Sequence, residues 1–411
     1  MTSSSVIVRD AARSDFDRGA PEIGLDALGG WSAEPGAAVR LLDAHREGIG
    51  LGVADPERGV VRIWSHTPLE AFNASFFRGR IESAVRRRKD LGIPPITEAY
   101  RLLHGDAEGL SGVTVDVWGE FLVVQAFGSG PARWLDVIEA PLQRLVRPRG
   151  IVRKLVVPEE AAAPRERGKV SECVSHGEPP PESMVVFEGG VPFVVRLLGS
   201  RHTGFFADMR DERRRLGGVV RGLRVLNTFA YTGAFSVAAA LGGAAEVVTV
   251  DTVANVLEWA KENFRLAGIA PAAHHFVRMD TIEYLATAKR KGWRFGAVVL
   301  DPPTVSTGRG SAWSLRRDYA QLVAGAVEVL DPGGWLWAAV NTSSVEAHEL
   351  DAWIEEGARA TGCRLTAVLS AGQPPDFPVI PQWPRSRYLK IRVLRKEVDG
   401  SGSVASSGRR S

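Results

Sequence analysis

From residue 189 onward the chain alternates between two patterns. Short runs centred on apolar residues occur at 224–229, 246–250, 275–278, 295–300 and 335–340. Between them lie stretches in which apolar positions return every third or fourth residue: 234–241, 253–267, the segment after Asp280, 313–330 and 345–361. The first pattern predicts strands covered on both faces and the second amphipathic helices, so their alternation predicts a mainly parallel sheet. Two further runs, 364–369 and 388–393, follow each other with no helix between them, which adds one antiparallel strand to a count of about seven. The expected fold class is α/β, a doubly wound Rossmann-like sheet in the C-terminal half.

The N-terminal half reads differently. Strands at 38–42, 50–54 and 60–64, punctuated by Gly and Asp, predict a small all-β module. A helix is expected from Pro68, with Phe72, Phe76 and Val85 on one side and Arg78, Arg80, Arg86, Arg87, Arg88 and Lys89 elsewhere. A hairpin at 112–117 and 121–126 and a helix at 131–145 give a second, α+β block. Residues 158–183, rich in Ala, Glu, Pro and Gly and containing Cys173, read as a solvated loop or extended hairpin. The expected domains are therefore 5–67, 68–188 and 189–397, with a Ser/Gly/Arg tail at 398–411.

The strands of the predicted sheet end on polar groups, and open α/β sheets bind ligands at the carboxyl ends of their strands. The first runs into Asn227-Thr228-Phe229-Ala230-Tyr231-Thr232-Gly233, the second ends at Asp251, the third is followed by Asp280, and the fourth by Asp301-Pro302-Pro303-Thr304. An acid at the tip of the second strand is placed to accept hydrogen bonds from a ribose. The turn before it has one glycine where Gly-x-Gly-x-x-Gly has three, so its backbone is not cleared for a pyrophosphate. A cofactor without phosphates fits better, and S-adenosylmethionine (SAM) is the obvious one. Asp251 is then expected on the ribose hydroxyls and Asp280 on the adenine amino group. Asn227, Thr228, Phe229, Ala230, Thr232 and Gly233 of the turn lie against the methionine part. The prolines after Asp301 stiffen the backbone and leave carbonyls without competing N–H partners, which suits a planar base beside a sulfonium methyl. Thr304 stands where base-amino methyltransferases usually carry an aromatic. Tyr231, Phe205, Phe206 and Trp313 are candidate replacements, and each is equally a candidate core residue.

Composition narrows the chemistry. A chain of 411 residues with two cysteines and a net charge of +3 has ample core material but no cysteines for a disulfide framework or zinc site. The eight histidines are scattered, so no metal is expected. No apolar run approaches a membrane span or a signal peptide, and a reducing cytoplasm is the expected compartment.

The segments Arg101-Leu102-Leu103-His104-Gly105-Asp106, Gly109-Leu110-Ser111-Gly112 with Asp116, Thr203-Gly204-Phe205-Phe206-Ala207-Asp208-Met209-Arg210, the 227–236 turn, 301–304 and Tyr388-Leu389-Lys390 stand in an order that resembles a known family. It is that of the bacterial large-subunit ribosomal RNA methyltransferases of the RlmI type. The resemblance implies a PUA-like β domain, an RRM-like central domain and a SAM-binding class I methyltransferase domain. It further implies that Phe206 and Asp208 help to close the SAM pocket.

One departure bears on the reaction. Carbon-5 of cytosine is not nucleophilic, so its methylation needs a thiolate to add first at carbon-6. Cytosine-5 members of the family carry that cysteine after the fifth strand. Here the segment is Val340-Asn341-Thr342-Ser343-Ser344, with Thr342 at the cysteine position. Guanine N7 or an exocyclic amine already holds a lone pair and needs only alignment. By resemblance to guanine-N7 ribosomal RNA methyltransferases, Asp301 and the Pro302 carbonyl orient the base and Asn341 hydrogen-bonds its edge. The family's histidine–proline pair before the last strand appears as Phe377-Pro378.

Basic clusters at 78–89, at Arg144, Arg147, Arg149, Arg153 and Lys154, and at Arg210 and Arg213 to Arg215 suggest a positive track for RNA. The expectation is a SAM-dependent RNA methyltransferase, monomeric or homodimeric, with ribosomal RNA as partner. The alternatives are a non-catalytic RNA-binding factor and a small-molecule methyltransferase.

Overall fold

In the computed structural model of the chain, residues 4–29, 31, 33–68, 71–156, 170–306 and 313–398 are described. They divide into two compact units: Met1–Asp211 with Gln373–Arg387, and Glu212–Gly372 with Tyr388–Ser411. The expected boundary at 189 thus falls inside the first unit. That unit also takes in a segment from between the last two strands of the C-terminal half.

The apolar runs of the second unit form one seven-stranded sheet. Its strands are β1 (Arg224–Thr228), β2 (Glu246–Asp251), β3 (His275–Arg278), β4 (Phe295–Leu300), β5 (Leu330–Asn341), β6 (Leu365–Ala371) and β7 (Leu389–Lys396). The helices are α1 (Ala234–Leu241), α2 (Ala254–Leu266), α3 (Thr281–Arg290), α4 (Leu315–Val329) and α5 (Ala347–Ala360). The spatial order is β3-β2-β1-β4-β5-β7-β6, with β1 to β5 parallel and β7 antiparallel to both its neighbours. The late strand pair without a helix is therefore the antiparallel element the sequence predicts. Leu226, Val248, Val298, Leu300 and Leu336 of the strands are buried with Tyr319, Leu322 and Val323 of α4. Strand order reverses between β1 and β4, so the crevice of the doubly wound sheet opens at their carboxyl ends.

In the first unit, a five-stranded sheet has the order Ser4–Ile7, Ala38–Leu42, Gly48–Asp55, Val60–Ser65, Glu22–Gly24. A second five-stranded sheet runs Val170–Gly177, Gly150–Val156, Phe121–Phe127, Val113–Trp118, Ala99–His104. Of the two readings of 158–183, solvated loop or extended hairpin, strand Val170–Gly177 gives the hairpin. It pairs antiparallel with Gly150–Val156 at the sheet edge, where polar side chains face water without cost. Residues 158–169 of that segment, and 399–411 of the expected tail, lie outside the described residues. The helix expected from Pro68 starts at Ala74, where the Asn73 side chain accepts from the Phe76 N–H at 2.9 Å. Its buried face is Phe77, Ile81, Ala84 and Arg88, one turn-step away from the Phe72, Phe76 and Val85 side, which is only partly buried.

Arg88 heads a buried ionic network in this unit. It is 1 % exposed, makes a two-pronged contact with Glu108, and donates to the Asp376 carbonyl at 2.6 Å. Asp376, 0 % exposed, accepts from Arg210 Nη2 at 2.6 Å and from the Arg101 N–H at 3.2 Å. Arg101 also reaches Asp116 and lies 4.7 Å over the Phe377 ring. His104 Nδ1 faces Arg101 Nη1 at 3.0 Å. Burial first, then the Arg101 guanidinium, push the imidazole down from 6.5 to about 3, so it stays neutral in the fold. The unfolded chain binds that proton below pH 6.5 and the folded chain does not. Stability is thus complete above pH 6.5 and falls by up to about 1.4 kcal/mol per pH unit as pH drops toward 3. Urea titrations between pH 6 and 4 should show that slope, and His104→Asn should flatten it.

Candidate functional site

The turn after β1 is wound unusually tightly. Phe229 and Tyr231 both have left-handed backbones, with φ of 51° and 50°, and Gly233 follows at 76°. For non-glycine residues this conformation costs of order 1–3 kcal/mol each and persists only where neighbours enforce it. The enforcing contacts are visible. The Ala230 N–H donates to the Val250 carbonyl at 3.0 Å, and the Tyr231 N–H donates to Asp251 Oδ2 at 2.9 Å. The Thr232 carbonyl accepts from Asn263 Nδ2 at 2.9 Å, and the Phe229 ring packs on Trp313 at 5.7 Å. A Cβ on Gly233 would meet the Ala260 Cβ at 2.8 Å, so the close approach of α2 requires glycine as well.

Asp251, at the tip of β2, has a double employment. Oδ2 holds the turn, and Oδ1 accepts from the Val253 N–H at 3.0 Å. Each oxygen retains a lone pair for a further donor. Burial raises its pKa above the ordinary carboxylate value, and the backbone hydrogen bonds from Val253 and Tyr231 oppose that rise. Asp280 is exposed and is the N-cap of α3, with Oδ1 accepting from Ile282 and Glu283 N–H groups at 2.9 and 3.2 Å. Asn227 and Thr228 are turned inward. The Asn227 amide donates to Ser236 Oγ at 2.9 Å, which also meets Thr249 Oγ1, and Thr228 Oγ1 donates to the Val299 carbonyl at 2.7 Å. Their side chains brace β1 against α1, β2 and β4, so what these two positions offer a ligand is backbone.

After β4, Pro302 is buried and two of the next carbonyls are taken. Trp313 Nε1 donates to the Pro303 carbonyl at 2.8 Å and the Leu315 N–H to that of Thr304 at 3.3 Å. Among the described residues nothing donates to the Pro302 carbonyl. Trp313 is a prop beneath this loop, 8 % exposed, and not a stacking surface. Phe205 is likewise core, packed on Phe193 and Trp118. Phe206 and Asp208 belong to the first unit, where Phe206 is 39 % exposed and Asp208 sits in the buried turn Ala207–Met209. Val305 and Ser306 continue the loop as a short strand.

The segment after β5 crosses the same edge of the sheet. The Asn341 carbonyl accepts from Thr304 Oγ1 at 3.4 Å, that of Thr342 from Lys390 Nζ at 2.7 Å, and that of Ser344 from Arg316 Nη2 at 2.7 Å. Thr342 Oγ1 lies 3.0 Å from Ser344 Oγ. The Asn341 side chain is exposed and its amide has no hydrogen bond among the described residues. Sequence reasoning named Lys390 only within the Tyr388-Leu389-Lys390 resemblance, with no role, and did not single out Asn263. Asn263 follows the helical spacing of a core position, and Lys390 lies in a strand. Cys363 precedes β6, parallel to β5, and so lies at the opposite edge of the sheet, with its thiol toward the Thr361 carbonyl. Cys173 is exposed on the strand Val170–Gly177 of the first unit.

The expected basic track is largely paired internally. Arg87 and Arg88 meet Glu108, and Arg153 meets Asp136 and Glu139. Arg149 meets Glu178, Arg210 meets Asp376, and Lys154 is 0 % exposed. Arg86, Lys89, Arg144 and Arg147 remain exposed without a salt bridge among the described residues. Runs of basic residues in a sequence do not reveal which carboxylates will fold against them.

Comparison with known proteins agrees with this architecture. The sequence profile of the S-adenosylmethionine-dependent methyltransferase family matches residues 156–391. Relatives called ribosomal RNA large subunit methyltransferase I include one from Klebsiella pneumoniae, 30% identical over 359 residues, covering 87% of this chain and 89% of the relative. One from Cronobacter sakazakii is 29% identical over 359 residues, covering 87% and 90%. A candidate methyltransferase solved with S-adenosylhomocysteine (SAH) superposes with a TM-score of 0.86 at 25% identity, covering 95% of this chain and 100% of that one.

Proposed function

Since the chain belongs to the S-adenosylmethionine-dependent methyltransferases, among the relatives called ribosomal RNA large subunit methyltransferase I, we propose that it methylates a base of ribosomal RNA without a cysteine nucleophile. The observation that carries the reading is the pairing of two structures on one sheet edge. The strained 229–233 turn held by Asp251 supports a SAM site. Beside it, the segment after β5 has Thr342 where a thiolate would be needed.

SAM supplies the methyl group on a sulfonium, and the residues of the chain hold and align the reactants. Asp251 accepts from the ribose hydroxyls, Asp280 Oδ2 from the adenine amino group, and the backbone of 227–233 lies along the methionine part. Phe206 and Asp208 are assigned to closure over the cofactor by family resemblance. Asp301 and the Pro302 carbonyl orient the acceptor base, and Asn341 reads its edge. The Thr342 hydroxyl meets Ser344 Oγ and no base among the described residues, so cytosine carbon-5 is a poor acceptor and guanine N7 or an exocyclic amine a good one. The first unit supplies the RNA-binding surface in PUA-like and RRM-like modules. Exposed Arg86, Lys89, Arg144 and Arg147 are its candidate phosphate contacts. To reach the pocket, a base in structured RNA must be turned out of its stack.

Mass spectrometry of ribosomal RNA nucleosides from cells with and without the gene tests this. Loss of one methylated purine is expected. Loss of 5-methylcytidine would overturn the cysteine-free mechanism, and an unchanged profile would overturn ribosomal RNA as the substrate.

A further inference from the structure

Lys390 is a costly residue for its position. It lies at the start of β7 opposite Val340, is 7 % exposed, and makes no salt bridge among the described residues. The nearest acids are otherwise engaged. Glu346 and Glu349 form the reciprocal capping box of α5, and Glu349 also pairs with Arg316. Burial accordingly lowers the lysine's pKa, with only partial relief from those two carboxylates. A buried cation without a paired charge is replaced by an apolar side chain of similar length at no loss to the fold, and often at a gain. Lys390 is therefore a poor choice for stability, and the one hydrogen bond its ammonium makes among the described residues is to the Thr342 carbonyl at 2.7 Å.

That contact is one of three. Thr304, Lys390 and Arg316, from the loop after β4, from β7 and from α4, each hold one carbonyl of the segment after β5. The Thr342 and Ser344 hydroxyls hold each other. Asn341 is the residue of this segment whose amide is left exposed and unengaged among the described residues.

We propose that Lys390 is a positioning residue for methyl transfer: by holding the Thr342 carbonyl it fixes the segment in the shape that presents the Asn341 amide to the acceptor base. This rests on the assignment of Asn341 to the base edge made above. Lys390 touches neither SAM nor the reacting atoms. Its effect belongs to alignment, where a displacement of about 1 Å costs on the order of a hundredfold in rate.

The test is a double-mutant cycle on the full-length chain, measuring methyl transfer from labelled SAM to protein-free ribosomal RNA from cells lacking the gene. N341A and K390M are each expected to lower kcat by about 10- to 100-fold, with SAM affinity unchanged. The double variant should be no slower than N341A alone, because Lys390 acts through Asn341. K390R, which restores a donor, should recover part of the loss. If N341A is as fast as the parent, the assignment of Asn341 to the base is wrong. If N341A is slow but K390M is fast, or the two losses multiply, the positioning role of Lys390 is overturned. Should K390M fail to fold, K390L, which likewise has no donor for the Thr342 carbonyl, carries the same cycle.

Discussion

Asp251→Ala is expected to weaken SAM binding by about 10²- to 10⁴-fold while RNA affinity stays close to that of the parent. Two hydrogen bonds from ribose hydroxyls to an ionised acceptor contribute about 1.5–3 kcal/mol each, and 1.4 kcal/mol is a tenfold change. A second loss adds to the first. The same carboxylate accepts from the Tyr231 N–H, and that contact helps to keep Phe229 and Tyr231 in left-handed conformations they would otherwise leave. Alanine removes both functions, whereas Asp251→Asn keeps a carbonyl oxygen for the turn and loses the charge toward the ribose. The asparagine variant should therefore fall between alanine and the parent. Calorimetric titration with SAM and filter binding with RNA check the pair. Equal loss of both affinities in Asp251→Ala would sink the assignment of separate sites. Because burial raises the pKa of this carboxyl, SAM affinity should also decline on acidification at a higher pH than an ordinary aspartate would give.

How far the sequence could be read depends on what a residue's neighbours in the chain reveal. The sheet was legible because its strands are covered on both faces, so apolar runs and intervening helical periodicity survive in one dimension. The runs at 275–278 and 295–300 coincide with β3 and β4. The antiparallel β7 was legible from the missing helix before it. The edge strand Val170–Gly177 was legible only as one of two readings, loop or extended hairpin, because its composition suits both. At the candidate site, Asp251 drew notice by position, as the acid at the end of a buried strand. Its grip on the strained turn was invisible, since left-handed φ values at Phe229 and Tyr231 contradict local propensity and arise from tertiary contacts. The side chains of Asn227 and Thr228 illustrate the converse. Polar residues at a strand end signal a ligand, yet here the Asn227 amide donates to Ser236 Oγ and the Thr228 hydroxyl to a β4 carbonyl. Trp313 read by sequence as a stacking aromatic or a core residue, and it is buried with its indole N–H on the Pro303 carbonyl. The basic clusters did not show which of their members pair internally, since Arg88 meets Glu108 through a buried contact that composition does not reveal.

Asp376→Ala is expected to destabilise the first unit by about 3–5 kcal/mol, the range for removing one partner of a buried ion pair. The carboxylate is fully buried and takes Arg210 through Nη1 and Nη2, at 3.4 and 2.6 Å, along with the Arg101 N–H. Removing it leaves the Arg210 guanidinium, 11 % exposed, without that partner in a dry site. It also frees the backbone of Arg101, whose guanidinium lies over Phe377. The surrounding segment Gln373–Arg387 is a long connection between β6 and β7 that contains no strand or α-helix. A few side-chain contacts therefore hold it in the first unit. Asp376→Asn, which keeps an acceptor of the same shape, should lose less. Replacing both partners, as Asp376→Leu with Arg210→Met, should recover much of the loss, because no uncompensated charge remains. Hydrogen exchange at the Arg101 amide and its strand neighbours gives the readout. A faster exchange in Asp376→Ala than in the double variant identifies the stranded arginine as the cause. Exchange in Asp376→Ala as slow as in the parent would show that the segment is held by its apolar contacts, with the buried Phe377 ring as the anchor.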